Sequence, residues 1–330
     1  MNKTHFFLFA IIICFLSLGC DKKRNQIKAE NELKINNVAV VIDDQLWNGE
    51  VGDSIRNKFA SPVLGLPQEE ALFTLNQFPV KLLEGFMTNS RNIIVVKKEN
   101  TSLFSVKKDQ FLKPQVIIRI SGKTVQEILD SIQSKQEELI SVIRKSELKN
   151  IQENLKSDSI WNDSLLAKKF KLKITLPKKY KLVMFAKKFL WFKKEIPSGN
   201  LSLAVYELPY SSLKNPNDAV NSIIRIRDSI GNRYIHGSEP NTKMITEKAF
   251  SPYLSKTQLA GRLVIETKGN WELEHDSMSG PFINYLFLDS KNKRIIVLEG
   301  FCYAPSKQKR DLMFELEGII KSVQFLKFKK

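Results

Sequence analysis

Cysteine is scarce in this 330-residue chain, which has three: Cys14, Cys20 and Cys302. The first two lie in or directly after an apolar N-terminal run, so Cys302 alone is left for the rest of the chain. A single cysteine forms neither an intramolecular disulfide nor a cysteine-based zinc site. Cys302 stands in the apolar, strand-like stretch LEGFCYAP, and we interpret it as a buried, inert thiol.

Histidine is equally scarce, and the familiar catalytic motifs are missing. His236 and His275, outside the N-terminal run, have no second metal-type ligand at helical or hairpin spacing. The chain has no G-x-S-x-G elbow, H-E-x-x-H helix, P-loop or dinucleotide fingerprint. The S-x-x-K pattern occurs without its companion S-D-N and K-T-G motifs. We therefore expect no metal and no cofactor, and we favour a non-enzymatic protein while leaving an enzyme open.

Negative charge is also in short supply: 52 lysines and arginines face 35 aspartates and glutamates, a net charge of +17. The excess is densest in residues 168–194, KKFKLKITLPKKYKLVMFAKKFLWFKK, which hold eleven lysines and no carboxylate. A balance of this kind suits nucleic acid, anionic lipid headgroups or acidic polysaccharide. Charge alone does not distinguish among these three classes of partner, so the compartment of the protein must be inferred first.

The N-terminus indicates that compartment. Lys3 precedes an apolar run from Phe6 to Leu18, which would span about 20 Å as a helix and is too short for a bilayer core of about 30 Å. Gly19 and Cys20 follow, the pattern of a bacterial lipoprotein signal. We predict that residues 1–19 are removed and that Cys20 is acylated, with an ordinary signal peptide or a poor membrane anchor as the alternatives.

This location decides among the partners. We expect membrane lipid as one partner, through acylated Cys20, an unidentified envelope protein or glycan as another, and no nucleic acid. The expected place is the cell envelope, at the outer membrane facing the periplasm in preference to the inner membrane or the cell surface.

The remaining chain predicts an α+β fold in two domains, each a mainly antiparallel or mixed sheet packed with helices and linked through a long helix. Residues 20–36 are polar and read as a flexible tether. An N-terminal α+β domain is predicted over 37–160 and a C-terminal α+β domain over 161–330.

Periodicity predicts the main elements of the first domain. NNVAVVIDD, RNIIVVKKE and PQVIIRISG are expected as strands, and one helix should carry Trp47, Val51, Ile55 and Phe59. Thr124 and Glu127 form a capping-box pattern before a helix of roughly thirty residues, for which we allow a break near Ser146.

The second domain is predicted to be rich in strands. Strands are expected at KFKLKITLP, FLWFKKE, NLSLAVYELP, GRLVIETKGNWELE, PFINYLFLD and KRIIVLEGFCYAP, with a hairpin around PSGN. Helices are expected at DAVNSIIRIRDSIG and at KQKRDLMFELEGIIKSVQFL.

Two sets of residues are candidate sites. Glu266, Glu272 and Glu299 lie near aromatic residues and could line a glycan groove as the paired acids of a hydrolase, or they could form ion pairs with the abundant lysines. The lysine run is expected mostly as the solvated face of two strands, with contact to an anionic membrane surface as the alternative. The lysines concerned are Lys171, Lys173, Lys178, Lys179, Lys181, Lys187, Lys188, Lys193 and Lys194.

Several long stretches together resemble one known family. They are VVIDDQLWNGEVGDSIRNKFASPVLGLPQEE at 40–70, RNIIVV at 91–96, RDSIGNRYI at 227–235, MITE at 244–247, ETKGNWELE at 266–274, and GPFINYLFLD with LEGFCYAPSKQKRDLMFELE at 280–317. These are similar to the Bacteroidota envelope lipoproteins of domain-of-unknown-function family 4837. The resemblance implies a lipoprotein of unassigned activity and carries over no catalytic residue.

A looser resemblance concerns architecture alone. The second domain opens on F-x-L-x-I-x-L-P-x-x-Y and ends on I-I-K-S-V-x-F, which is similar to the PsbP-like sandwich of secreted or membrane-tethered accessory proteins. We therefore expect a lipid-anchored binding or assembly accessory protein of the cell envelope. The alternatives are a glycan-directed hydrolase using the C-terminal carboxylates, and a structural tether that binds an anionic membrane surface through residues 168–194.

Overall fold

A computed structural model describes residues 34–83, 89–213 and 218–327. The chain divides into two compact units. Unit 1 comprises residues 34–61 and 73–147, and unit 2 comprises residues 62–72 and everything from Leu148 onward. Each unit has its own sheet, one mixed and one antiparallel, packed with helices, so the predicted two-domain α+β class is confirmed.

Unit 1 contains a five-stranded sheet in the order β2-β1-β3-β5-β4. Four strands run parallel and β4 pairs antiparallel with β5 at one edge. Every residue of β1 is buried, as a strand covered on both faces requires. The strands are β1 (Asn37–Val41), β2 (Thr74–Phe78), β3 (Asn92–Lys98), β4 (Leu103–Lys108) and β5 (Val116–Gly122).

The helix expected around Trp47 is in fact two helices, α1 (Asp44–Trp47) and α2 (Glu50–Phe59). The prediction of one continuous helix was wrong because the chain turns at Asn48 and Gly49 to bring α2 back against the end of α1. A Cβ on Gly52 would collide with the backbone of Trp47, so only glycine permits this approach.

The long helix is continuous from Val125 to Ser157 and is named α3. The break that we allowed near Ser146 does not occur. One bond of the predicted capping box is formed, since the Glu127 amide donates to Thr124 Oγ1 at 3.2 Å. The Glu127 carboxylate accepts from the amide of Lys123, one residue before the N-cap, at 3.0 Å. The division between the two units falls within this helix, at Leu148.

A buried ion pair holds α3 to the sheet of unit 1. Glu147 is fully buried and accepts from the guanidinium of Arg91 at 3.2 Å. The same carboxylate accepts from the side chain of Asn92 at 2.6 Å and from the backbone of Asn36 at 2.9 Å. All of its oxygens are thus engaged within unit 1, which is how a buried carboxylate is tolerated.

Unit 2 is built on an eight-stranded antiparallel sheet in the order β10-β12-β13-β14-β9-β8-β7, with β11 also paired to β12. A two-stranded ribbon, β6 with β15, stands apart from it. The strands are β6 (Leu172–Lys173), β7 (Lys181–Ala186), β8 (Phe189–Ile196), β9 (Gly199–Pro209), β10 (Lys243–Thr246), β11 (Tyr253–Leu259), β12 (Arg262–Glu274), β13 (Ser279–Asp289), β14 (Arg294–Tyr303) and β15 (Gln324–Phe325).

Three helices complete unit 2: α4 (Ser164–Phe170), α5 (Ala219–Tyr234) and α6 (Arg310–Lys321). On one face of the sheet, Ile223 and Ile226 of α5 pack into a core with Phe189, Tyr206 and other apolar residues of the strands. On the other face, α6 packs against β9, β13 and β14. Both helices, the hairpin at PSGN and the three long C-terminal strands agree with their predictions.

The predicted strand KFKLKITLP is largely wrong. Its first residues end helix α4, Lys171 adopts the left-handed conformation that closes the helix, and only Leu172–Lys173 form a strand. The alternation itself is real, because Phe170, Leu172, Ile174 and Leu176 are all buried. The period of two describes an extended segment lying on the core rather than a strand within the main sheet.

Candidate functional site

The strongest polar cluster of unit 2 joins Arg227 of α5 to Glu299 of β14. The guanidinium donates to Glu299 Oε1 at 2.7 Å and 3.0 Å, and both side chains are at most 2% exposed. A third nitrogen of Arg227 donates to Thr246 Oγ1 at 2.6 Å, and its plane lies over the Phe282 ring at 3.4 Å. The arginine is therefore satisfied on every side within the core.

The second oxygen of Glu299 is also engaged. It accepts from the Asn284 amide at 2.6 Å and from the Tyr206 hydroxyl at 3.2 Å. Burial, and then the charge of Glu299, hold the pKa of Tyr206 well above its ordinary value, so the hydroxyl stays protonated and donates. With Asn284 and Tyr206 fully buried, the cluster positions α5 on the sheet and offers no surface to a substrate.

The three candidate carboxylates are not brought together. Glu299 lies opposite Asn284 in the sheet, whereas Glu266 lies opposite Tyr285, the next residue along the strand. Because successive residues of a strand point to opposite faces, Glu266 and Glu299 occupy opposite faces of the sheet. Glu266 is bound by Lys268 at 2.9 Å.

Glu272 stands six residues from Glu266 on the same strand, β12. That spacing corresponds to about 20 Å along the strand, while the carboxylates of glycosidases lie about 5–10 Å apart. These residues therefore form no such catalytic pair. Instead, Glu299 is ion-paired with Arg227, and Glu266 is ion-paired with Lys268.

The lysine run does not form one uniform face. Part of it is neutralised locally by carboxylates of unit 2, as a solvated structural surface would be. The pairs are Lys173 with Asp163 at 3.0 Å, Lys179 with Asp158 at 3.1 Å, Lys188 with Glu207 at 3.0 Å, Lys193 with Glu195 at 3.0 Å, and Lys194 with Glu315 at 2.6 Å.

Lys194 is the most clearly structural of them. Its side chain is 18% exposed, and its carboxylate partner on α6 also accepts from the hydroxyl of Tyr180 at 2.8 Å. The other predicted lysines differ: within the parts of the chain that the structure describes, no ion pair is formed by Lys171, Lys178, Lys181 or Lys187.

One further lysine of the run, which is not among the lysines predicted above, makes contacts that order the segment around it. Lys169, in the last turn of α4, donates to the carbonyls of Ala186 and Lys187, both at 2.8 Å. Its ammonium also lies 4.4 Å from the centre of the Phe185 ring. The last turn of α4 thus stands beside the turn between β7 and β8, and Phe185 remains 58% exposed. We call this region the α4–β7 edge: Lys168, Lys169, Lys171, Val183, Phe185, Lys187 and Lys188.

Sequence analysis missed this edge because it predicted no strand between KFKLKITLP and FLWFKKE, where β7 lies. The strand is the last of its sheet, and its register shifts at Val183, which leaves Val183 47% exposed. A register shift and flanking lysines are ordinary features of edge strands. The exposed aromatic ring is not, and the apolar run at 182–186 between two groups of lysines was the available signal.

Other candidates can be placed briefly. Cys20, residues 1–19 and most of the tether lie outside the described residues. Burial raises the pKa of the Cys302 thiol to about 12. In the described portion of the chain, no group of three or more histidine, cysteine, aspartate or glutamate side chains is arranged to hold a metal ion. No helix among the described residues is both long enough and apolar enough to cross a bilayer.

Unit 1 has a shallow pocket with a cavity volume of about 70 Å³. It lies at the carboxyl ends of the parallel strands β3 and β5, where ligands of open α/β sheets usually bind. Lys97 at its rim is already paired with Glu99 at 3.5 Å. The lining residues are Leu83, Val95, Lys97, Glu99, Leu103, Arg119, Ile120 and Ser121.

Comparison with known families defines the class of each half. Residues 159–322 match a family model described as "Domain of unknown function (DUF4837)". Residues 33–156 match a second model, "Domain of unknown function (DUF8532)". The resemblance to family 4837 is therefore confirmed for the second half, while the quoted stretches at 40–70 and 91–96 fall within the other family. A Bacteroidota origin and the PsbP-like architecture stay predictions.

Comparison with individual proteins adds little. No curated protein matches the chain. One solved structure that matches is the human StarD13 (DLC2) lipid transfer and protein localization domain, with 11% identity over 43% of this chain and 87% of that chain, at a TM-score of 0.21. A TM-score this low does not establish a shared fold.

Proposed function

We propose that this protein is a cell-envelope lipoprotein, held in the membrane by acylated Cys20, that acts by binding a partner rather than by catalysis. The anchor rests on the apolar run that ends in Gly19-Cys20. The polar residues that follow serve as a tether to the folded units. We place the protein at the outer membrane, facing the periplasm.

The main support for a binding role is the environment of Glu299. It is the candidate carboxylate most deeply set among aromatic residues, and all of its hydrogen-bonding capacity is taken by Arg227, Asn284 and Tyr206. A catalytic acid needs access to substrate, and this buried carboxylate has none. We assign the binding of an envelope protein or glycan to the surface of unit 2.

The anchor is tested by mass spectrometry of the N-terminal peptide from the native protein. The expected peptide begins at Cys20 and carries acyl chains, and Cys20→Ala protein retains an uncleaved N-terminus. An unmodified Cys20 in the mature protein would refute the lipoprotein assignment. Density separation of the two membranes then checks that the anchored protein sediments with the outer membrane, and recovery with the inner membrane contradicts that location.

The binding role is tested by crosslinking in intact cells, followed by identification of the attached molecule. Reproducible capture of one protein or glycan by unit 2 is expected. The hydrolase alternative is checked with purified protein on cell-wall glycan, comparing the parent chain with Glu266→Gln and Glu272→Gln variants. Release of glycan fragments that these substitutions abolish would overturn the non-enzymatic proposal.

A further inference from the structure

We propose that the α4–β7 edge of unit 2 docks on an anionic phospholipid surface, with lysine ammonium groups on the headgroups and the ring of Phe185 in the interfacial region. The proposal rests on the envelope location proposed above. It adds a second, non-covalent contact to the one made by the acyl chains, of the kind that basic surface residues make with an anionic leaflet.

The geometry of the edge brings aromatic and cationic groups together. Lys169 fixes the last turn of α4 against the β7–β8 turn through its bonds to the carbonyls of Ala186 and Lys187. Lys168 and Lys171 flank it on one side, and Lys187 and Lys188 form the turn on the other. Because Lys169 holds the two segments, the cations do not depend on a mobile segment for their proximity.

The charge of this edge is largely uncompensated. Within the residues that the structure describes, Lys168, Lys171 and Lys187 form no ion pair, and Lys188 shares Glu207 with Arg294. Each lysine near an anionic leaflet strengthens association by about fivefold, so three unpaired lysines are worth roughly a hundredfold at low salt. If these lysines served only to keep the surface solvated, carboxylates would be expected beside them, as they are found beside Lys179 and Lys193.

The exposed apolar residues distinguish docking from simple edge protection. Lysines and a register shift are enough to prevent strand-to-strand pairing. Phe185 is 58% exposed and Val183 is 47% exposed. If this edge served only to prevent strand-to-strand pairing, polar side chains would be expected at these two positions. An exposed aromatic ring beside a lysine ammonium, on a strand whose following turn carries two more lysines, is typical of interfacial membrane contacts, in which the ring enters the headgroup region and the ammonium groups remain at its surface.

The test uses the mature chain carrying Cys20→Ala, so that no acyl group contributes. Binding is measured by co-sedimentation with vesicles of phosphatidylcholine mixed with phosphatidylglycerol, and with vesicles of phosphatidylcholine alone. We expect binding to the anionic vesicles only, falling steeply as salt rises from about 0.05 to 0.5 M. Lack of binding to the anionic vesicles at low salt would overturn the proposal.

Two triple variants of equal charge separate the edge from net charge. Lys168→Gln/Lys171→Gln/Lys187→Gln should weaken vesicle binding at least tenfold, whereas Lys248→Gln/Lys256→Gln/Lys307→Gln should change it less than twofold. All six side chains are at the surface or half-buried, and circular dichroism checks that both variants fold. Equal losses in the two variants would show that net charge alone is responsible and would contradict docking by this edge.

Two further outcomes are decisive. Phe185→Ser should weaken binding several-fold and leave the salt dependence unchanged, because it removes an apolar contact but no charge. If vesicles fail while an acidic polypeptide such as polyglutamate binds in a manner sensitive to the first triple variant, the edge is a protein-docking surface and the membrane proposal is wrong. Mass spectrometry of Cys20 is unaffected by any of these results, so failure here leaves the lipoprotein assignment standing.

Discussion

The ammonium of Lys169 lies 4.4 Å from the centre of the Phe185 ring, and it donates to the two backbone carbonyls that follow that ring. A single lysine therefore fixes the last turn of α4 against the edge strand of an eight-stranded sheet. This contact gives the lysine-rich segment its local order and keeps an exposed aromatic ring beside several cations.

Replacing Lys169 should loosen that contact. Lys169→Met removes two charge-assisted hydrogen bonds and a cation–π interaction, and we expect the free energy of unfolding to fall by about 1–2 kcal/mol. Lys168→Met is the matched control, since its side chain is exposed and its loss should change stability by less than about 0.5 kcal/mol. Urea unfolding of both variants measures the difference, and equal effects would show that the Lys169 contact contributes nothing specific.

Breaking the buried pair of unit 2 should be far more damaging. Arg227→Met leaves Glu299 charged and unpaired in the core, so we expect a loss of about 3–5 kcal/mol in the free energy of unfolding. Arg225→Met, two residues earlier on the same helix, removes a pair that is 3.7 Å long and largely exposed, and it should cost less than about 0.5 kcal/mol.

A double variant shows whether the loss comes from the orphaned charge. Arg227→Met/Glu299→Leu should recover much of the stability, because two apolar side chains replace a desolvated pair. Thermal and urea unfolding report the values. If the double variant is no more stable than Arg227→Met, the cluster acts through packing and not through its charges.

Acid should weaken unit 2 at the turn between β13 and β14. Burial by itself raises the pKa of Asp289, but hydrogen bonds from Asn292, Arg294 and Arg262 outweigh it and lower the pKa below its ordinary 3.8. A carboxylate whose pKa is lowered by folding stabilises the fold fully above that ordinary value, and the stabilisation is lost progressively as the pH falls below it and through the lowered pKa of the folded state. The free energy of unfolding, measured from pH 6 to about pH 3, should therefore fall more steeply for the parent chain than for Asp289→Asn. Parallel curves would contradict the assignment.

Cys302 should be inert in the folded protein. Burial raises the pKa of its thiol to about 12, so at pH 8 only about one molecule in ten thousand carries the reactive thiolate. In the mature chain that begins at residue 20 and carries Cys20→Ala, which lacks Cys14, a thiol reagent should react more than a hundredfold more slowly under native conditions than in denaturant. Rapid native reaction would show that β14 opens readily or that the thiol is exposed.

Much of the fold follows from local pattern. Long strands such as β12 and β14, and the helices α3, α5 and α6, carry mainly apolar faces that predict their type and position. The hydrophobic pattern predicted the wrong element where a segment is buried but does not pair within the main sheet. Phe170 and Leu176 alternate with polar residues as strand residues do, yet their segment lies on the core without joining the main sheet.

The polar sites depend on contacts that the sequence does not display. Arg227 and Glu299 are 72 residues apart, and no local pattern links them. Each still leaves a signal, because Arg227 falls on the apolar stripe of its helix beside Ile223 and Ile226, and Glu299 interrupts the buried run of β14. A charged side chain at a core position indicates a buried partner, but identifying that partner required the fold.

The docking of the α4–β7 edge is tested most directly by a fluorophore placed on it. The unreactive Cys302 allows Phe185→Cys to be labelled with an environment-sensitive dye at one position in the mature chain that begins at residue 20 and carries Cys20→Ala, because this chain lacks Cys14. Gln258→Cys, exposed on β11 at the opposite side of the sheet, provides the control. Anionic vesicles should shift the emission of the dye at 185 to the blue and raise its intensity, with no change at 258. An unchanged spectrum at 185, or equal changes at both positions, would contradict the account.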